Sequence, residues 1–227
     1  MIVCMIKILK PEQVAALREV LDTAVFADGA ATAGWNAKLV KHNLQLTPGM
    51  AGYDRLVDIV RPAVLRDPVF QMAVRPRKLR PFLFNRHDAG MSYGAHVDDP
   101  VMGPGDRPLD QIRTDVSFTL FLSDPATYEG GELVIGGGGG ERAYKLEPGM
   151  LVAYPSDSLH RVTPVTSGVR LACVGWVQSD VRDPARRAIL YDLDLARRDI
   201  FAREGKNEAF DLITKAHANL TRMWVEL

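Results

Sequence analysis

The sequence predicts an α+β protein. Its antiparallel β sandwich or barrel is preceded and followed along the chain by helices. Apolar residues at helical spacing come first, short apolar runs punctuated by Gly and Pro follow, and a second helical stretch closes the chain. We expect a boundary near residue 180, with one domain over 1–180, its β core at about 78–178, and a helical extension over 181–227.

The first third predicts one strand and two helices. An apolar run predicts a strand over 2–9, and Pro11 suits the first turn of a helix over 11–26, because the N–H it lacks is unpaired there anyway. We expect Asp28-Gly29 to end that helix. A second helix is predicted over 53–65. The apolar residues at helical spacing are Val14, Leu17, Val20, Leu21 and Val25 in the first helix, and Leu56, Ile59, Val60 and Val64 in the second.

The middle of the chain predicts a series of strands separated by turn residues. Their predicted ranges are 81–85, 115–122, 132–135, 144–146, 150–154 and 169–177. The five glycines at 136–140 are interpreted as a hairpin tip. A phosphate-binding loop is disfavoured, because neither Gly-Lys-Ser/Thr nor a helix follows them.

The C-terminal part predicts two helices. The first covers 185–204 and ends at Gly205, and Asn207 is expected to cap the second. Their apolar positions are Leu190, Leu193, Ile200 and Phe201 in the first, and Phe210, Ile213, Leu220 and Trp224 in the second.

Composition excludes several classes of function. Lys plus Arg is 28 and Asp plus Glu is 28, so the formal charge is zero and no nucleic-acid partner is expected. No apolar run approaches about 18 residues, so no membrane span is predicted. The apolar start lacks preceding basic residues and a cleavage site, which favours a cytoplasmic protein with Cys4 and Cys173 as buried, reduced thiols.

One short segment carries metal-binding chemistry: Tyr93-Gly94-Ala95-His96-Val97-Asp98. On a strand, residues two apart point to the same side, so His96 and Asp98 can reach one ion. Two histidines and one carboxylate on one face of an ion are typical of non-haem Fe(II) oxygenases. A structural His–Asp hydrogen bond is the alternative for the pair alone, so a third ligand is needed.

His160 is the predicted third ligand, since it lies in a turn between two late strands, where it could arrive from the far end of a barrel. Arg170 follows on an otherwise apolar strand. A guanidinium in that position requires an anion, either a buried protein carboxylate or a dicarboxylate co-substrate held bidentately.

The order His96-x-Asp98, His160, Arg170 resembles that of the Fe(II)- and 2-oxoglutarate-dependent dioxygenase superfamily, and more narrowly the bacterial PKHD-type hydroxylases related to prolyl 4-hydroxylases. Further phrases carry the resemblance over nearly the whole chain: Phe84-Asn85-Arg86, 90–98, Arg113-Thr114-Asp115-Val116-Ser117, 121–125, 128–133, 176–179, and 181–193. The resemblance implies a double-stranded β-helix (jelly roll) with flanking helices.

The resemblance also implies site roles. His96, Asp98 and His160 match the iron ligands, and Arg170 matches the residue that binds the distal carboxylate of 2-oxoglutarate. Tyr93, Asn85 and Arg86 are further cofactor-binding candidates, and Arg113 is a candidate substrate contact. Barrel packing for Tyr93 and a solvated surface position for Arg113 remain open, and no catalytic residue beyond the metal site is expected.

The implied reaction is hydroxylation of an unactivated C–H bond, with Fe(II), 2-oxoglutarate and O₂ as cofactors and ascorbate as a reductant. A small molecule or peptide is the expected substrate, and iron acquisition is the process to which the resemblance points. The helical extension leaves a homodimer through the C-terminal helices open. Three alternatives remain: a non-catalytic sensor of metal or 2-oxoglutarate, a nucleic-acid demethylase, which the balanced charge disfavours, and a cupin-like enzyme with another metal.

Overall fold

The structure, a computed structural model, describes residues 4–103 and 110–226. The first strand, β1, covers Cys4–Lys7. The predicted strand over 2–9 is thus confirmed over 4–7, residues 8 and 9 lie beyond its end, and residues 2 and 3 lie outside the described residues. Both cysteines are buried and free, as expected.

Five helices flank the sheets, three before most of the strands and two after them. They are α1 Pro11–Thr23, α2 Tyr53–Arg66, α3 Pro68–Val74, α4 Pro184–Glu204 and α5 Glu208–Trp224. Short 3-10 turns cover Gly29–Thr32, Ala37–Val40 and Pro125–Thr127.

The end predicted for α1 was wrong. The helix stops at Thr23, whose hydroxyl donates to the carbonyls of Glu19 at 3.3 Å and Val20 at 3.2 Å. Ala24 is extended, so Val25 leaves the helix face and is 81% exposed. The Thr23 hydroxyl thus bonds back into the last turn, and the extended backbone at Ala24 ends the helix earlier than apolar spacing indicated.

Helix α3 was not predicted. The Asp67 carboxylate accepts a hydrogen bond from the Phe70 N–H at 2.8 Å, and Pro68 occupies the first turn. Phe70 is buried edge-on against Phe118 of the sheet, at 5.9 Å between ring centroids. This contact joins the helical layer to the strands.

Seventeen strands form within the described ranges. After β1 they are β2 Ala27–Asp28, β3 Lys41–His42, β4 Leu44–Leu46, β5 Pro76–Leu79, β6 Leu83–His87, β7 Ser92–His96, β8 Val101–Met102, β9 Ile112–Arg113, β10 Val116–Phe121, β11 Tyr128–Gly130, β12 Leu133–Gly137, β13 Gly140–Tyr144, β14 Met150–Pro155, β15 His160–Val162, β16 Val165–Gly168 and β17 Arg170–Ser179.

Two antiparallel sheets build the core of the fold. The larger has the order β1-β14-β10-β17-β6-β4-β2, with β5 also paired to β17, and the smaller has the order β13-β12-β15-β7-β3. One cavity is lined by strands of both, so the sheets face each other. Two further sheets have two strands each, β11-β16 and β8-β9. The antiparallel sandwich and its flanking helices confirm the predicted α+β class.

The glycine run forms the predicted hairpin. Its strands β12 and β13 pair from Leu133 opposite Tyr144 to Gly137 opposite Gly140, so Gly138 and Gly139 form the tip. The strand predicted over 144–146 was misplaced, because the hairpin brings residues 140–144 into register and β13 ends at Tyr144.

The main hydrophobic core lies between helices α1–α3 and the outer face of the larger sheet. Its best-buried members include Leu17, Leu21, Leu56, Val60, Phe70, Phe84, Phe118, Leu120 and Cys173. On β10, Phe118 and Leu120 belong to this core, while Ser117 and Thr119 point the other way and line the cavity.

The C-terminal helices pack on each other and on the body of the protein. Phe201 of α4 meets Phe210 of α5 at 5.2 Å between ring centroids. Gly205 ends α4 with φ of 70°, and the Asn207 side chain caps α5 by accepting from the Phe210 N–H, both as predicted. The 180–181 region is tied to the core by an ion pair of 2.9 Å between Arg75 and Asp180. Over residues 4–103 and 110–226, none of the helices combines the length and apolar character that a bilayer crossing requires.

Candidate metal centre and co-substrate pocket

Three side chains that are distant in sequence converge in the smaller sheet. His96 is the last residue of β7, His160 is the first residue of β15, and the two are directly paired in register. Asp98 follows two residues after β7 ends. The Nε2 atoms of His96 and His160 lie 3.9 Å from Oδ1 and Oδ2 of Asp98, respectively. One ion can therefore reach one donor atom of each residue, since these atoms lie within 4.8 Å of one another.

The three side chains reach the cluster by a different route from the one that the sequence predicted. Asp98 lies beyond the strand that carries His96, so strand alternation does not aim the two side chains. His160 comes from the neighbouring strand and not from the far end of a barrel. The three residues are nonetheless brought together, and their donor set of two imidazoles and one carboxylate fits the facial triad of non-haem Fe(II).

Backbone carbonyls hold both imidazoles in the tautomer that a metal needs. His96 Nδ1 donates to the Gly94 carbonyl at 2.8 Å, and His160 Nδ1 donates to the Ser158 carbonyl at 3.0 Å. Each Nε2 lone pair is thereby directed toward Asp98. Burial, and next the charge of His160, lowers the pKa of His96 to about 4. The imidazole of His96 is thus neutral and ready to bind a metal at neutral pH.

The carboxylate of Asp98 is buried and oriented by two serines. Ser117 Oγ donates to Asp98 Oδ2 at 2.5 Å, and Ser117 Oγ lies 2.8 Å from Ser156 Oγ. Within the described part of the chain, no Lys or Arg lies within 4.0 Å of this carboxylate. A bound cation would supply the charge that the protein does not.

Arg170 faces the metal cluster from the larger sheet. It is 1% exposed at the start of β17, and neither its Nε nor its Nη2 has a hydrogen-bond partner. Among residues 4–103 and 110–226, no carboxylate lies within 4.0 Å of the guanidinium, and its carbon lies 5.5 Å from the Phe121 ring centroid. Burial lowers the pKa of Arg170. A buried guanidinium with orphaned donors fits a carboxylate-bearing ligand.

His87 lies opposite Arg170 in the register of β6 and β17. It is buried, and neither of its ring nitrogens has a partner. Burial, and next the charge of Arg170, holds its pKa well below the usual range. His87 is therefore neutral and can donate a hydrogen bond toward the same ligand.

Gly131 makes room for Arg170. Its φ is +67°, and a Cβ atom on it would lie 2.9 Å from Arg170 Cδ and 3.0 Å from Val165 Cγ2. Glycine is the residue that accepts this conformation and this close approach. Gly131, which belongs to the 128–133 segment of the family resemblance, therefore leaves the space that the Arg170 side chain occupies.

The metal cluster and Arg170 open onto one cavity of about 470 Å³ between the sheets. Its charged lining residues are Lys41, Arg80, Asp98, Asp99 and Arg170. Apolar and aromatic walls come from residues such as Leu133, Tyr154, Val174 and Trp176. The volume suits a small diacid beside a second small molecule.

Two of the weaker site candidates line this cavity. The Tyr93 ring stacks on the His96 ring, with centroids 3.6 Å apart and planes 16° apart. Asn85 is buried and accepts a hydrogen bond from Gln45 Nε2 at 2.6 Å. Both side chains can contact a bound molecule.

The other two candidates lie outside the cavity lining. Arg86 follows Asn85 on β6, so it points to the opposite face, where its Nε lies 2.9 Å from Asp88 Oδ1. Arg113 Nε donates to Asp115 Oδ1 at 2.7 Å, and its Nη1 lies 3.2 Å from Glu226 Oε2. The structure therefore gives Arg113 a role in attaching the C-terminal end to the core.

Sequence reasoning missed several residues of the site. His87 lies before the His-x-Asp segment and belongs to no motif, and Lys41 lies in a two-residue strand that has no periodic pattern. Ser117 had a usable signal, since alternation along β10 places it on the face opposite Phe118.

The family of the chain follows from comparisons with known proteins. Residues 82–178 match the family model of the 2OG-Fe(II) oxygenase superfamily. A PKHD-type hydroxylase of Gloeothece citriformis is 52% identical over 219 residues, which are 96% of this chain and 97% of the relative.

Solved structures bear on the fold. A prolyl-4-hydroxylase of Pseudomonas putida is similar with a TM-score of 0.51 at 20% identity, over 78% of this chain and 92% of that one. A prolyl hydroxylase of Trichoplax adhaerens, solved with a hypoxia inducible factor peptide, gives 0.55 at 17% identity, over 82% and 86%. These likenesses confirm the jelly-roll fold expected from the sequence.

Proposed function

Because the chain belongs to the PKHD-type hydroxylases of the 2OG-Fe(II) oxygenase superfamily, and is therefore a dioxygenase, we propose that it hydroxylates an unactivated C–H bond with His96, Asp98 and His160 as iron ligands. The observation that carries this assignment is the set of three donor atoms within 4.8 Å of one another. Fe(II) with 2-oxoglutarate supplies the oxidising chemistry: one oxygen atom of O₂ enters the substrate, and the other enters succinate as CO₂ leaves.

Arg170 is the proposed partner of the distal carboxylate of 2-oxoglutarate. Its orphaned Nε and Nη2 donors and the lack of a described carboxylate beside it support this role. A protein acid in that place would have made the guanidinium a structural ion pair. His87, which has two unpaired nitrogens directly across from Arg170, is a second donor for the same carboxylate.

The protein residues in this proposal bind, orient and exclude water. The Gly94 and Ser158 carbonyls fix the two imidazoles, and Ser117 fixes the Asp98 carboxylate. Both imidazoles are buried and the Asp98 side chain is 8% exposed, which strengthens their electrostatic hold on a cation. The substrate is a small molecule or a peptide; the prolyl hydroxylases among the structural neighbours make a prolyl peptide one candidate.

The test is CO₂ release from 2-oxoglutarate by anaerobically loaded protein after admission of O₂, with ascorbate as reductant. We expect Asp98→Ala to lose both iron content and CO₂ release. Asp157→Ala removes an exposed carboxylate from the turn before His160 and serves as the matched control, with iron content unchanged. An Asp98→Ala variant that keeps its iron and its turnover would contradict the assignment.

A non-catalytic sensor is separated from an enzyme by the same experiment. Both bind iron and 2-oxoglutarate, but only an enzyme forms succinate in an amount that rises with a substrate. Family membership supports the enzyme. Binding of 2-oxoglutarate without any succinate from it would favour the sensor.

A further inference from the structure

Lys41 is a buried cation in the wall of the cavity that the proposed roles leave unused. It is 5% exposed and lies in β3, paired in register with Tyr93 of β7. Its Nζ lies 5.1 Å from the centroid of the Tyr93 ring, whose own centroid is 3.6 Å from that of His96. The ammonium is therefore one aromatic layer away from the metal cluster.

The hydrogen bonds of Lys41 position its ammonium without neutralising it. Nζ donates to Thr32 Oγ1 at 2.9 Å, and Thr32 Oγ1 donates to Gln45 Oε1 at 2.5 Å. Gln45 in turn donates to Asn85, so four neutral or cationic side chains form one chain along the wall. An ammonium has three N–H donors, and the Thr32 hydroxyl takes one of them.

Among the residues that the structure describes, no acid pairs directly with Lys41. Within the described ranges no carboxylate oxygen lies within 4.0 Å of Nζ, although Asp98 and Asp28 act on it from farther away. Burial lowers the pKa of Lys41 to about 8, which reflects the cost of the uncompensated charge. An anion beside Nζ would remove that cost.

The formal charges of the described residues that line the cavity do not cancel. Among the described lining residues, the charged ones are three cations, Lys41, Arg80 and Arg170, and two carboxylates, Asp98 and Asp99, which gives these residues a net charge of plus one with neutral histidines. A divalent metal and the dianion 2-oxoglutarate cancel each other. Since Asp99 is exposed to solvent and Lys41 is buried, the positive charge that a substrate would meet inside the pocket is that of Lys41.

We propose that Lys41 binds a carboxylate of the primary substrate, so that the enzyme acts on small acids or acid-bearing residues. This assignment rests on the proposed function, in which Arg170 takes the distal carboxylate of 2-oxoglutarate and leaves Lys41 free for a second molecule. Because one ring separates Nζ from His96, the carbon that reacts lies a few bonds from the bound carboxylate. Lys41 is thus a specificity-determining residue.

The experiment uses calorimetric titrations of Mn(II)-loaded protein in two steps. The first titrates 2-oxoglutarate into the wild type, Lys41→Met, and Lys38→Met, which removes an exposed lysine three residues away. The second titrates the 2-oxoglutarate-saturated proteins with N-acetylated amino acids and, separately, with the carboxamides of the same compounds. Lys41→Gln, which can still bond to Thr32, replaces Lys41→Met if the latter does not fold.

We expect all three proteins to bind 2-oxoglutarate within about twofold of one another. At least one acid should bind the wild type and Lys38→Met about tenfold more tightly than its amide, a preference that corresponds to one charge-assisted contact. Lys41→Met should lose this preference, and Lys41→Arg, titrated in the same two steps, should keep it.

Two results would overturn the proposal. A tenfold loss of 2-oxoglutarate affinity in Lys41→Met would assign the lysine to the co-substrate, and equal binding of acids and amides by the wild type would remove its role in recognition. If the wild type binds no 2-oxoglutarate, the proposed function fails instead, and the acid–amide preference of the Mn(II)-only protein still decides the role of Lys41.

Discussion

Replacing Arg170 with methionine should stabilise the metal-free protein and at the same time weaken 2-oxoglutarate binding. The two effects have a common cause, because the guanidinium is buried with two nitrogens unpaired. Each unsatisfied buried donor costs about 1–3 kcal/mol. The contact with the Phe121 ring at 5.5 Å returns only about 1 kcal/mol.

The unfolding free energy of Arg170→Met should therefore exceed that of the wild type by at least about 1 kcal/mol. Binding should move the other way. Removing one partner of a buried charge pair costs about 2–5 kcal/mol, which is about 30- to 4,000-fold in Kd.

The assay combines urea unfolding of metal-free protein with calorimetric titration of 2-oxoglutarate into Mn(II)-loaded protein. Arg161→Met is the matched control. Arg161 follows His160 on β15, and its Nη1 pairs with Glu141 Oε1 at 2.5 Å. We expect it to leave 2-oxoglutarate binding unchanged. A destabilised Arg170→Met protein would mean that the guanidinium is satisfied in the folded chain, and unchanged binding would mean that 2-oxoglutarate lies elsewhere; either result refutes the reasoning.

Three further predictions concern the groups around the two ligand sites. Ser117→Ala removes the donor to Asp98 Oδ2 and should weaken Mn(II) binding about 10- to 100-fold in a metal titration. Gly131→Ala puts a methyl group 2.9 Å from Arg170 Cδ at a φ of +67°, so it should lower the unfolding free energy by more than about 1 kcal/mol and weaken 2-oxoglutarate binding. The pKa of His87 is depressed in the folded state, so the unfolded chain takes up that proton first, and the stability of metal-free protein falls as pH drops below about 6.5. His87→Gln should make this fall shallower by up to about 1.4 kcal/mol per pH unit in unfolding measurements at pH 7, 6 and 5.

Each of these variants has a control in the chain. Ser167→Ala removes an exposed hydroxyl from β16, and Gly138→Ala adds a methyl group at the hairpin tip, where nothing lies within 4 Å. His42→Gln removes an exposed histidine. Equal metal affinity in the two serine variants, equal stability in the two glycine variants, or parallel pH curves for the two histidine variants would each contradict the corresponding prediction.

The chemistry of the site was readable from residue types, but its geometry was not. Residue types alone pointed to His96, Asp98, His160 and Arg170. Two imidazoles and a carboxylate are the ligand set typical of non-haem Fe(II), and a guanidinium in an apolar strand requires an anion. The pairing of β15 with β7 is a long-range contact, and no local sequence pattern specifies which strands become neighbours. The four residues that the sequence singled out therefore share one cavity, but the route that brings His160 there differs from the predicted one.

Lys41 could not be predicted for a related reason. Its strand, β3, has only two residues and is defined by its pairing with β7. Two residues are too few to show the alternation of polar and apolar side chains by which a strand is predicted from sequence. Burial of its ammonium is likewise a property of the closed sandwich. The end of α1 at Thr23 is a smaller example, in which the backbone becomes extended at Ala24 although Val25 continues the apolar spacing.

Several expectations from the sequence stay predictions. They are the division at residue 180, the homodimer through α4 and α5, the cytoplasmic location, ascorbate as reductant and the link to iron acquisition. The exposed apolar side chains on these helices, such as Leu195, Leu212 and Met223, are where a dimer contact would be sought.

The most direct test of the central claim is a crystal structure of the protein with Mn(II) and 2-oxoglutarate. We expect one ion bound directly to His96 Nε2, His160 Nε2 and an Asp98 oxygen, at distances near the roughly 2.0–2.2 Å of zinc bonds to nitrogen and oxygen. The distal carboxylate should lie against Arg170. An ion bound elsewhere, or a distal carboxylate that leaves the guanidinium unpaired, would contradict the account.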